Sequence, residues 1–206
     1  MTSRADAAAE KRQRILDAAV KVFANQGFTA GRISDIADEA GVAHGLVYHY
    51  FDSKEAILDE LFTQRWKLLI AQIAEIGRRD LPARDKLERV ASFIVESYRY
   101  DPELMRVIIV EVTRAVNTFG RTHLAEIREA YEMIAAIVRE GQESGELRDE
   151  VESTYAALAF YGAIEQVLTG WIFDLIPSDE SDFDRAAAFV AETVCGGLGS
   201  PAHNTR

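Results

Sequence analysis

Apolar residues return every three or four positions along most of the chain, in blocks separated by Gly, Pro, Asp and Ser. Ile15, Ala19, Val22 and Phe23 mark a first helix from about Ala7, and Asn25-Gln26-Gly27 supplies its stop. A short second helix is predicted over Ile33 to Ala40, ended by Gly41, and a third follows over His44 to Tyr50. Asp52-Ser53 then reads as the cap of a long fourth helix, in which Leu58, Phe62, Trp66, Leu69, Ile73 and Ile76 form one stripe. Leu81-Pro82 breaks it, and Ala83 to Tyr100 resumes the pattern with Leu87, Val90, Ile94 and Tyr98 inward.

Asp101-Pro102 opens a helix expected to run from Glu103 to about Val116, burying Met105, Ile108, Ile109 and Val112. Another is expected from about Arg121 to Glu143, with Leu124, Ile127, Tyr131, Ile134 and Val138 inward. The last two, about Glu152 to Ile176 and Phe183 to Leu198, flank Pro177-Ser178. The expectation is an all-α chain of about nine helices: a small three-helix head at 1–54, a larger helical domain at 55–198 and a disordered polar tail at 199–206.

Composition agrees with helix. Hydrophobic residues make up 48% of 206, enough for a sizeable core, and only four prolines occur. The single cysteine, Cys195, has no intramolecular partner, and no Cys/His cluster has metal-ligand spacing, which points to a reducing compartment, the cytoplasm. Met1 to Glu10 lacks the apolar run of a signal peptide. Tyr155 to Phe173 is the most apolar stretch, but Glu165 and Gln166 lie at its middle, so it reads as a helix buried on two faces rather than a membrane span.

A net charge of −11 argues against nucleic acid until it is mapped. Residues 1–54 hold seven basic residues (Arg4, Lys11, Arg12, Arg14, Lys21, Arg32, Lys54) and seven acidic ones, so the whole excess lies in 55–206. A neutral head can meet DNA while an acidic body stays in solution.

Within the head, Ile36, Ala37, Val42, Val47 and Phe51 read as a small core, with Gly41 as the left-handed turn of a helix-turn-helix. His44, Gly45, Leu46, Tyr48, His49 and Tyr50 are left as the surface of the short third helix. No Asp or Glu occurs between His44 and Phe51, as a phosphate-facing element requires. Taken one at a time, the two tyrosines could be core aromatics and the histidines ordinary surface residues. Their joint spacing is what favours DNA.

This stretch resembles the signature of TetR-family regulators in Ile36-Ala37, Ala40-Gly41-Val42, Gly45, Tyr48-His49-Tyr50-Phe51 and Lys54-Glu55. The resemblance is strong over about residues 8–62 and implies a homodimeric DNA-binding protein with a ligand-binding C-terminal domain. It implies that Tyr48, Tyr50 and Lys54 hold phosphates, that Ser34, His44, Leu46 and His49 face bases, and that Gly45 lets the backbone approach DNA. Arg32 stands where the family usually has Thr; Arg can reach a phosphate, and Gly31 is then expected to cap the second helix.

The larger domain is similar, more loosely, to the branch of the family that senses fatty acyl-CoA, through Phe160-Tyr-Gly-Ala-Ile-Glu165 with Trp171 following. The candidate lining is Phe93, Tyr98, Met105, Ile109, Tyr131, Ile134, Tyr161 and Trp171, with Arg106, Arg114 or Arg128 for CoA phosphates. Glu165 reads equally as an intersubunit salt bridge or a pocket residue. Small residues Ala156, Ala159, Gly162 and Ala163, with the Ala-rich stretch Ala186 to Val194, suit a twofold helical interface.

The rival classes are an enzyme, for which His123 with Glu126 or Glu111 could form an acid/base pair, and a DNA binder with no ligand. No phosphate loop, nucleophile elbow or His-Glu-x-x-His supports the enzyme. The reading is therefore a repressor acting on a pseudo-palindromic operator, with an apolar effector, long-chain acyl-CoA as the specific expectation, and no metal, cofactor or membrane.

Overall fold

The computed structural model describes residues 4–111 and 123–196. Expectations that fall on Val112, Arg114, Val116, Arg121, Leu198 and the 199–206 tail lie outside the described residues. Among the described residues there are nine α-helices and no strand: α1 (Arg4–Gln26), α2 (Ile33–Ala40), α3 (His44–Tyr50), α4 (Lys54–Gly77), α5 (Ala83–Tyr100), α6 (Pro102–Arg106), α7 (Leu124–Glu143), α8 (Ser153–Ile172) and α9 (Glu180–Gly196). The chain divides into two compact units, the first Met1–Trp66 with Asp101–His123 and the second Lys67–Tyr100 with Leu124–Arg206.

In the first unit α1 packs on α2, α2 on α3, and α6 on α1. Ile15, Leu16, Ala19, Phe23, Ile36, Ala37, Val47, Ile57 and Leu58 close its core. Gly41 ends α2 at φ +63°, a left-handed backbone that a Cβ would strain, and the amide of Val42 returns to Ala37 O at 3.0 Å. The cap of α2 differs from expectation. Arg32 itself holds the cap position, and Asp35 accepts its backbone N–H at 3.1 Å. Gly31 is instead buried where a Cβ would lie 3.1 Å from Val22 and 3.2 Å from Phe23. Its small size serves close approach, not capping.

Asp101 caps α6 as expected, accepting Leu104 N–H at 2.9 Å, but the α-helix ends at Arg106 and continues as a π-helical turn, Val107–Glu111. A π turn inserts one residue per turn, which explains why Val107 joins Met105 and Ile108 in the core while Ile109 is only half-buried.

In the second unit α9 packs on α5 and α8, and α7 on α5 and α8. Leu87, Val90, Ile94, Ile134, Val138, Phe160, Ile164 and Leu168 are buried. Leu124, expected inward, is exposed at the first turn of α7. The helix expected to reach Ile176 stops at Ile172, where Asp174 takes a positive φ of 55° and Leu175 N–H bonds Gly170 O at 2.8 Å. A Cβ at Gly170 would lie 2.9 Å from the tip of the Ile176 side chain, so glycine leaves that side chain room to pack as the chain folds back. The last helix starts three residues earlier than expected because Asp179 and Asp182 form a reciprocal cap: Asp179 accepts Asp182 N–H at 3.1 Å, and Asp182 accepts Asp179 N–H at 3.0 Å.

Candidate nucleic-acid interface

The turn between α2 and α3 presents α3 by its single buried residue, Val47, and by Phe51 just beyond it. His44, Gly45, Tyr48 and His49 are exposed, and Leu46 and Tyr50 are half-buried. Tyr48, half exposed at 50%, meets the His44 ring edge-on at 5.2 Å, and His49 meets Tyr50 at 5.1 Å, so the four rings stand as two ordered pairs on a surface without carboxylates. A Cβ at Gly45 meets nothing within 4 Å, so the folded chain itself makes no use of this glycine's size. Ser34 is exposed at the start of α2, beside the exposed Arg32.

The basic residues of the head divide into two groups that sequence could not separate. Arg14 donates to Ala40 O, at the C-terminal end of α2, at 2.7 Å. Arg12 pairs with Glu60 at 3.0 Å and lies 4.8 Å over the Phe51 ring, and Lys21 pairs with Glu39 at 2.9 Å. Lys54 donates to Phe28 O, Thr29 O and Gly31 O at 2.8, 3.1 and 3.2 Å, directly above the Phe28 ring. The resemblance assigned Lys54 to a phosphate; its three N–H donors are spent on the loop that leads into α2. Lys11 and Arg32 remain exposed.

In the second unit the expected ligand residues gather into two groups. Tyr98 and Trp171 meet at 5.5 Å together with Phe183, which sequence reading missed, at 6.2 and 4.9 Å. Trp171 donates its indole N–H to Pro177 O at 2.9 Å, so its polar edge is satisfied by the chain. Tyr131 and Tyr161 form the second group, edge to face at 5.3 Å. Burial pushes the nearby Glu165 carboxyl up, and burial with the Glu165 charge pushes the Tyr131 phenol up. Phe93 is half-buried and Ile134 fully buried. Met105, Arg106 and Ile109 belong to the first unit, so the ten expected positions are divided between the units.

A separate half-open groove of about 600 Å³ runs along α7, α8 and α9. Leu87, Val138, Leu147, Ala156, Ala159 and Val194 line it, and it contains none of the ten expected ligand positions. Its small residues are those read as a subunit interface. His123, considered for acid/base chemistry, shares its Nε2 with Asp59 at 2.6 Å. Among the described residues no group of three or more His, Cys, Asp and Glu could hold a metal, and no helix is long and apolar enough to cross a membrane.

Residues 15–61 match the model of the bacterial regulatory proteins of the tetR family, and residues 62–188 match that of the YsiA-like protein C-terminal region. The chain belongs to the TetR family. Its fatty acid metabolism regulator relative from Bacillus subtilis (strain 168) is 33% identical over 165 residues, covering 80% of this chain and 84% of that protein. The transcriptional repressor KstR2 of Rhodococcus jostii (strain RHA1) is 29% identical over 195 residues, 94% and 93% of the two chains. The crystal structure of the transcriptional regulator FadR from Bacillus subtilis in complex with stearoyl-CoA superposes with a TM-score of 0.81 at 27% identity, over 91% of this chain and 99% of that one. This TetR-family chain is therefore a transcriptional regulator and not an enzyme, and α2 and α3 are its helix-turn-helix.

Proposed function

We propose that the protein is a cytoplasmic repressor that binds a pseudo-palindromic operator as a homodimer and is released by a long-chain acyl-CoA. The observation that carries the DNA half is the α3 surface, exposed, free of carboxylates and carrying a glycine whose missing Cβ no protein atom needs. Ser34, His44, Leu46 and His49 read bases, Tyr48, Tyr50 and Arg32 hold phosphates, and Gly45 allows close approach. The head is 1–54, and 55–198 senses the effector and dimerises. Exposed Tyr155 and Leu158 on α8 and Phe189 on α9 support pairing of these helices with their copies.

The acyl-CoA reading is supported by the stearoyl-CoA complex of the FadR relative and by the apolar, aromatic second unit. Helix α4 is continuous through Trp66, where one unit ends and the other begins. A shift of its C-terminal part re-spaces two heads whose separation must match about one DNA turn of ~34 Å. A hundredfold loss of affinity requires the effector to prefer the re-spaced state by about 2.7 kcal/mol. The test is to select the operator from a randomised pool, measure stoichiometry by light scattering, and titrate the complex with acyl-CoAs of graded chain length. Two protomers per operator and release that strengthens with chain length are expected; a monomeric complex, or acyl-CoA binding without change in operator affinity, overturns the reading.

A further inference from the structure

The chain passes between the two units three times: inside α4 after Trp66, after Tyr100, and after His123. The first passage is unbroken helix, and at the second Asp101 only caps its own helix, α6. The third is different. His123 is 4% exposed, its Nε2 shares a 2.6 Å hydrogen bond with Asp59 of α4, 64 positions back, and its ring lies 4.4 Å from Phe62 one turn further along α4. The next residue, Leu124, begins α7.

We infer that the Asp59–His123 hydrogen bond is the latch that carries effector binding at α7 to the DNA-reading head. This rests on the regulator reading and adds its route. An effector seated against Tyr131 acts on α7, which moves as a rigid helix whose first residue adjoins His123. The latch enters α4 at the turn that grips the head: Glu60, next to Asp59, holds Arg12, which lies over Phe51 at the end of α3. One and a half turns back, Lys54 holds the carbonyls of the loop into α2. A short hydrogen bond to a buried imidazole is either made or broken, which suits a two-state connection better than graded packing. Asp59 and His123 are positioning residues; neither touches DNA in this scheme.

Coupling is reciprocal, so operator binding must be felt at α7 through the same latch, and no effector is needed to test it. Amide hydrogen exchange over Leu124 to Ile134 is measured by mass spectrometry with and without the selected operator, for wild type, Asp59→Ala, Asp59→Asn and His123→Leu. Wild type should show exchange slowed by about fivefold or more on operator binding, the lower end of ordinary coupling. Asp59→Ala and His123→Leu should bind operator without that slowing, and Asp59→Asn, which keeps an acceptor oxygen, should retain it. Asp59→Ala leaves the imidazole in place and His123→Leu fills its space, so a folding failure of one leaves the other to decide. Slowing that persists in the folded variants, or no slowing in wild type, overturns the latch while operator binding stands. If no operator is selected, the regulator reading falls and the latch with it; an absent acyl-CoA response leaves the latch result intact.

Discussion

The carboxylate of Glu146 accepts the backbone N–H of Ala83 at 2.7 Å, so the N-terminus of α5 is capped by a residue 63 positions further along the chain. Its other oxygen takes Arg84 N–H at 2.9 Å. Pro82, just before α5, has no side-chain acceptor, and a carboxylate at a helix N-terminus also meets the favourable end of the dipole. Glu146→Ala should cost about 1–2 kcal/mol in urea unfolding, and Glu146→Gln should recover part of it. Unchanged stability in the Ala variant would show the cap to be replaced by water.

Lys54 offers a clean choice between two roles. If it is spent on Phe28, Thr29 and Gly31, Lys54→Met should lower the stability of the first unit by about 1–3 kcal/mol, because three carbonyls lose a charged donor. The slope of log affinity against log salt should stay as in wild type. A slope reduced by about one unit, with stability unchanged, would return Lys54 to the phosphate role.

Two glycines seven positions or fewer from the base-reading surface should separate folding from binding. Gly41→Ala must place a Cβ at φ +63° and should destabilise the head by about 1 kcal/mol. Gly45→Ala points a methyl into open space and, by helix propensity, should leave stability equal or raised by up to about 1 kcal/mol. It should nonetheless weaken operator binding at least tenfold in fluorescence anisotropy. Wild-type affinity in Gly45→Ala would remove the close-approach argument.

Glu165 sets a pH dependence whose sign follows from burial. Its carboxyl is raised in the folded chain, so folding favours the protonated form. The contribution is fully present below the ordinary carboxylate range and is lost as pH rises through the raised value. Glu165→Gln should therefore raise the thermal midpoint over wild type at neutral pH and match it at acid pH. A midpoint difference that is constant with pH would sink the prediction.

What the sequence determined by itself is a set of local features. Helix periodicity, the Gly41 turn, the Asp101 cap and the acid-free α3 surface depend on residues within a few positions of one another, and all four stand in the structure. Family membership followed from the same short-range spacing. Only the tertiary structure decided what each spare charge does. Lys54, which the resemblance assigned to a phosphate, donates to the loop at Phe28–Gly31; Glu146, for which the sequence suggested no role, caps α5; and His123, weighed as half of an acid/base pair, meets Asp59 of α4. It also decided that α8 stops at Ile172 and that one π turn follows α6. For Lys54, Glu146 and His123 the physical reason is the same. A backbone carbonyl, an open helix end or a buried imidazole takes the nearest polar partner in space, and separations of 23 to 64 positions leave no periodic trace in the sequence.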